Sequence, residues 1–122
     1  MIETKGIGHI HLLVTDLNKA LAFYTQAFGL VEAFRVGSSM VFLDIPGTDD
    51  VIVLHEVEEE PRSSDTSPGV AHFGLRIRDV EQLDAAAAEI EAAGGKVLER
   101  GKHAGQFPYA YVADPDGHVI EL

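Results

Sequence analysis

A chain of 122 residues that is 46% hydrophobic is one domain, long enough to bury roughly two thirds of its unfolded surface without covalent staples. It has no cysteine, which excludes disulfides, Fe–S clusters, thiolate zinc sites and a cysteine nucleophile. No apolar run approaches the ~20 residues of a membrane span and the N-terminus carries no signal pattern, so a cytoplasmic protein is expected. Twenty acidic against nine basic residues leave a net charge of −11, which opposes a phosphate backbone and makes nucleic acid an unexpected partner.

Ile7 to Thr15 alternates, with Ile10, Leu12 and Val14 on one face and His9, His11 and Leu13 on the other, which is the period of a strand. Asp16 is placed to cap a helix in which Leu17, Ala20, Leu21, Tyr24 and Phe28 fall at helical spacing, and Gly29 ends it. Val31 to Val36 and Ser39 to Asp44 read as a hairpin across Gly37-Ser38. Pro46-Gly47 turns the chain again, and Val51 to Val57 is a further apolar run of strand length. Residues 58–68 carry acidic residues, Ser, Thr, Arg and Pro but nothing that builds a core, which predicts a linker.

The pattern then restarts. Gly69, His72 and Asp79 repeat Gly6, His9 and Asp16 at a constant offset of 63. Phe73, Leu75 and Ile77 form the apolar face of a new strand, with His72, Gly74 and Arg76 opposite. Asp79 caps a second helix with Gln82 at the capping-box position; Val80, Leu83, Ala87 and Ile90 give its buried stripe before Gly94-Gly95. Lys96 to Arg100, Tyr109 to Ala113 and His118 to Leu122 supply three more strands. His103 and Gln106 fall between them in a predicted surface loop with Gly101 and Gly105. The expected class is α+β, one domain over 1–122 built from two βαβββ modules, 6–57 and 69–122, about the linker.

The last strand follows a tight turn, Asp114-Pro115-Asp116-Gly117, and contains Glu121 between Ile120 and Leu122. A carboxylate in that setting is costly to bury unless it is paired or bound to a metal. Val51-Ile52-Val53-Leu54 closes the first module as Val119-Ile120-Glu121-Leu122 closes the second, so Val53 matches Glu121. A site drawn symmetrically from the duplication would use His9, His72, Val53 and Glu121, three of which can ligate a metal. Two His and one carboxylate with open positions suit Fe(II), and Mn, Ni, Zn or Co also fit.

His9-Ile10-His11-Leu12-Leu13-Val14-Thr15-Asp16-Leu17, Phe23-Tyr24, Phe28-Gly29-Leu30, Ala71-His72-Phe73 and Asp114-Pro115-Asp116-Gly117-His118-Val119-Ile120-Glu121 stand in an order that resembles the vicinal oxygen chelate superfamily over nearly the whole chain. That superfamily holds the glyoxalase, fosfomycin-resistance, bleomycin-resistance and extradiol dioxygenase proteins. The resemblance implies paired modules forming an incomplete β-barrel with one divalent metal ion per site on its concave face. The matching ligands are His9, His72 and Glu121, and the glyoxalase group's additional carboxylate falls at Val53. It also implies a homodimer whose sites are shared between subunits. Tyr111 stands ten residues before Glu121, as an active-site tyrosine does in the extradiol and fosfomycin-modifying members.

Each candidate also has a plainer reading. Tyr111 is either catalytic or a packed aromatic. His55 lies on the face of Val53, as an acid/base, a replacement ligand or a strand-end surface residue. Arg76 either binds an anionic substrate group or pairs with a carboxylate of this acidic chain. His11, Val53, Tyr109 and His103 complete the expected substrate-binding set. The expected function is metal-dependent chemistry, dioxygenase-like or glyoxalase-like, on a small substrate that chelates the metal through oxygens. Val53 disfavours glyoxalase proper, and the lack of an Arg-bearing extension after Leu122 disfavours fosfomycin-type thiol transfer. The alternative is a bleomycin-resistance-type protein that sequesters a cationic drug, which the negative charge would suit.

Overall fold

The computed structural model describes residues 1–58 and 69–122. Of the linker expected over 58–68, all but Glu58 therefore lies outside the described residues. The chain divides into two compact units, Met1–Glu60 and Pro61–Leu122.

The first unit runs β1 (His9–Val14), α1 (Leu17–Phe28), β2 (Val31–Val36), β3 (Met40–Asp44) and β4 (Val51–Glu56). Its sheet order is β1-β4-β3-β2, with β1 parallel to β4 and the other pairs antiparallel. Ile10 is half-buried and Leu12 and Val14 are buried beneath α1, whose own buried face is Leu17, Ala20, Phe23 and Tyr24; Leu21 and Phe28 sit at its margin. The Asp16 carboxylate accepts the Lys19 backbone N–H at 2.9 Å, and the Glu56 carboxylate, reaching from the end of β4, accepts that of Leu17 at 2.7 Å. Gly29 ends the helix at φ +66, with its N–H on the Thr25 carbonyl and that of Leu30 on the Tyr24 carbonyl.

The second unit repeats this plan as β5 (Phe73–Gly74), α2 (Leu83–Ala92), β6 (Lys96–His103), β7 (Phe107–Ala113) and β8 (Val119–Glu121), in the order β5-β8-β7-β6. Three expectations change. The strand after His72 pairs over only two residues, because β8 offers a three-residue partner where β4 offers six, although Phe73, Leu75 and Ile77 keep their alternation. Asp79 accepts from Glu81 rather than closing a capping box, and Val80 belongs to a 3-10 turn that leaves it 52% exposed. The buried stripe of α2 is Leu83, Ala87 and Ile90. Finally, the loop expected around His103 is a hairpin, since Ala104 and Gly105 turn the chain at positive φ and let β6 and β7 pair out to His103 and Phe107.

The duplication extends to the ladders. His11 pairs with Val53 as Gly74 pairs with Glu121, and Phe42 pairs with Val53 as Tyr111 pairs with Glu121. Both hairpins carry an irregularity at the same place, between Glu32 and Phe34 and between Val97 and Glu99. Among the described residues no helix is long and apolar enough to cross a membrane.

Candidate functional site

Strand alternation sorts the second sheet into two faces. Ala110, Val112 and Ile120 are buried against α2, so Tyr109, Tyr111 and Glu121 emerge on the other face. There the Glu121 carboxylate receives two imidazole N–H groups: His72 Nε2 donates to Oε2 at 3.0 Å and His103 Nε2 to Oε1 at 2.8 Å. The His103 bond, and after it the His72 bond, hold the carboxyl below the usual carboxylate range against partial desolvation. All three side chains stay partly exposed, Glu121 at 26%.

Aromatic rings enclose this carboxylate. Tyr111 meets the His72 ring edge-on at 4.9 Å, and Tyr109 stacks on His103 at 4.1 Å. The Tyr109 hydroxyl donates to Glu99 Oε1 at 2.8 Å, and that bond chiefly raises its pKa. Desolvation, then the charges of Glu121 and Glu99, raise that of Tyr111. Both hydroxyls are therefore proton donors at neutral pH. The Asp114 turn that aims β8 is itself tightly made: its buried carboxylate accepts the N–H groups of Asp116 and His118, each at 2.9 Å.

In the first unit His11 Nε2 and His55 Nδ1 are 3.1 Å apart and share one hydrogen bond. His9 lies two residues earlier on the same exposed face of β1. Val53, expected to line a substrate cavity, is 1% exposed and offers no surface; as part of the central strand β4 it is flanked by His11 and Phe42. Arg76 is exposed on the face of His72 and pairs with no carboxylate among the described residues. A surface depression lined by Gly94, Lys96, Leu98, Asp114 and Gly117 is separate from all of these side chains.

Among the described residues no three His, Asp or Glu side chains converge on one point as metal ligands do. The reason is local: His72 and His103 occupy different oxygens of Glu121. Sequence reading missed Glu99 and the role of Gly101. Laying one module's ladder on the other would have found the first, because Glu99 replaces Phe34 just as Tyr111 replaces Phe42 and Glu121 replaces Val53.

Comparison with known proteins agrees with this architecture. The lactoylglutathione lyase GLX1 of Arabidopsis thaliana is 31% identical over 98% of this chain and 44% of its own length. A probable lactoylglutathione lyase of Vibrio cholerae is 33% identical over 95% of this chain and 88% of its own. The chain spans less than half the length of the first curated relatives it matches. The fosfomycin resistance protein FosX of Listeria monocytogenes, solved with Mn(II) and 1S,2S-dihydroxypropylphosphonic acid, superimposes with a TM-score of 0.76 at 28% identity, covering 98% of this chain and 90% of FosX. A family profile matches residues 6–122, and by it the chain belongs to the glyoxalase/bleomycin resistance protein/dioxygenase superfamily.

Proposed function

We propose that this protein is a cytoplasmic, divalent-metal-dependent enzyme acting on a small substrate that binds the ion through two oxygens, with lyase, isomerase or dioxygenase chemistry. The observation that carries the reading is the pairing of His72 Nε2 and Glu121 Oε2 at 3.0 Å on the partly exposed sheet face turned away from α2. Two ligand atoms each about 2.0–2.2 Å from one ion stand roughly that far apart, so the donor pair fits. The mixed imidazole and carboxylate set suits Fe, Mn, Ni, Zn or Co. His9 of the partner subunit completes the set in a symmetric homodimer with two shared sites, and β2, the outermost strand of its sheet among the described residues, offers an edge that such pairing would cover. A bound ion supplies Lewis-acid polarisation of the substrate oxygens.

The chain's own groups do the rest. Tyr111, kept protonated by desolvation and by the charges of Glu121 and Glu99, donates a hydrogen bond to a substrate oxygen. Arg76, free of any described carboxylate and on the face of His72, attracts an anionic substrate group. His11 and His55 share a proton between Nε2 and Nδ1, and His55 passes it to or from the substrate. His11, Tyr109 and His103 line the substrate's surroundings.

Metal analysis of protein purified without chelator or affinity His tag tests the reading. About one ion per chain is expected, lost in each of His9→Ala, His72→Ala and Glu121→Ala. A wild-type protein that cannot be loaded, yet holds a cationic drug, would instead establish sequestration without catalysis. Mixing His9→Ala with Glu121→Ala chains should restore one of the two sites in each heterodimer, and a proven heterodimer with none would end the shared-site assignment.

A further inference from the structure

Gly101 sits directly across the β6–β7 ladder from Tyr109. Its backbone is ordinary, so freedom of φ is not why glycine stands there. Space is the reason: a Cβ on Gly101 would lie 2.6 Å from the Tyr109 hydroxyl oxygen and 2.8 Å from the adjoining ring carbon. The missing side chain lets the Tyr109 ring lie flat over β6, and the hydroxyl is then tied down by Glu99 at 2.8 Å. On the flattened ring rests the imidazole of His103, nearly parallel at 21° and 4.1 Å, while Tyr111 packs on Tyr109 at 5.0 Å. Without this support His103, at the tip of a hairpin and 54% exposed, would have many rotamers.

We propose that His103 is a positioning residue: propped by Tyr109, Glu99 and the gap at Gly101, it grips Glu121 Oε1 so that only Oε2 faces His72 and the ion. The inference rests on the metal reading of Glu121 and extends it. A carboxylate held by one oxygen binds through the other with its orientation already set, and loss of such an outer hydrogen bond costs ~10–100-fold in metal affinity. His103 does not itself ligate, since the oxygen it holds is not the one that His72 faces.

The probe is Mn(II), titrated calorimetrically into the full-length protein. His103→Phe keeps an aromatic ring on Tyr109 but has no N–H; we expect ~10–100-fold weaker binding with an unchanged unfolding midpoint. His103→Gln, which retains an N–H donor, should recover part of the loss. Gly101→Ala, two residues away, should weaken binding similarly by displacing Tyr109. The second readout needs no metal. Long-range 15N correlation spectra report which ring nitrogen of His103 carries the proton, expected to be Nε2 in the wild type and a mixture in Glu121→Ala and in Gly101→Ala. If Mn(II) binds His103→Phe as tightly as wild type, the positioning role is overturned while the metal site stands. If wild type binds no Mn(II) but His103 keeps its Nε2 proton only when Gly101 and Glu121 are present, the metal reading fails and the grip survives. A wild-type His103 with no tautomer preference overturns the grip outright.

Discussion

The two modules share strand order, a bulge and a helical segment that an Asp cap opens, at α1 in one and at the 3-10 turn before α2 in the other, and that closes near a glycine, yet they diverge along a single row of equivalent positions. Module 1 places Phe34, Phe42 and Val53 there, with the two rings stacked at 4.4 Å and Val53 buried. Module 2 places Glu99, Tyr111 and Glu121, which with His72, His103 and Tyr109 form a hydrogen-bonded and stacked polar cluster. The same backbone accommodates both because the row lies on the sheet face turned away from the helix. The polar version is thus no requirement of folding, and it is the version on which the proposed metal site rests.

Converting one module into the other breaks this difference most severely. Glu121→Val copies Val53 into module 2; Mn(II) binding should be lost altogether, while stability stays within about 1 kcal/mol by urea denaturation, since a partly exposed carboxylate gives way to a strand-favouring side chain. A large loss of stability would mean that the polar cluster is structural after all. The reverse change, Val53→Glu, buries a carboxylate at a position 1% exposed and should cost more than about 2 kcal/mol, with added metal recovering part of the loss only if the new carboxylate reaches the ion. A midpoint equal to wild type would show that Val53 is not buried in the folded chain.

Smaller changes sharpen what the modules have in common. Gly29 at φ +66 and Gly94 at φ +93 both take the left-handed region after their helices, so Gly29→Ala and Gly94→Ala should each cost about 1–2 kcal/mol. Very unequal costs would undo the equivalence of the two helix ends. Phe34→Glu, which copies Glu99, removes the stack on Phe42 from a half-exposed site and should cost about 0.5–1.5 kcal/mol. Least of all should come from Glu32→Gln at the module 1 bulge. The Arg35 guanidinium holds the exposed Glu32 carboxyl below its usual range, so the pair contributes near neutral pH and is lost as pH falls through that lowered value. The wild type and the variant should therefore have indistinguishable midpoints at low pH and in high salt.

Sequence alone determined the duplicated βαβββ plan, because strand alternation, Asp caps and helix-ending glycines are local signals that recur at a near-constant offset. It also determined that Val53 stands where Glu121 does, since the two apolar runs close their modules at matching places. What only the tertiary structure decided was pairing beyond parity. His103 and Gly101 read as loop residues because glycines and a short polar stretch resemble a loop, and only the positive-φ turn at Ala104-Gly105 carries the ladder out to them. The strand after His72 shrank because its length is set by its partner β8, not by its own alternation. Glu99 was invisible as a site residue because an exposed glutamate is ordinary in an acidic chain; it matters through the hydroxyl that the neighbouring strand brings to it. Local chemistry writes the elements, whereas which side chains meet depends on strand register, bulges and the space a missing Cβ leaves.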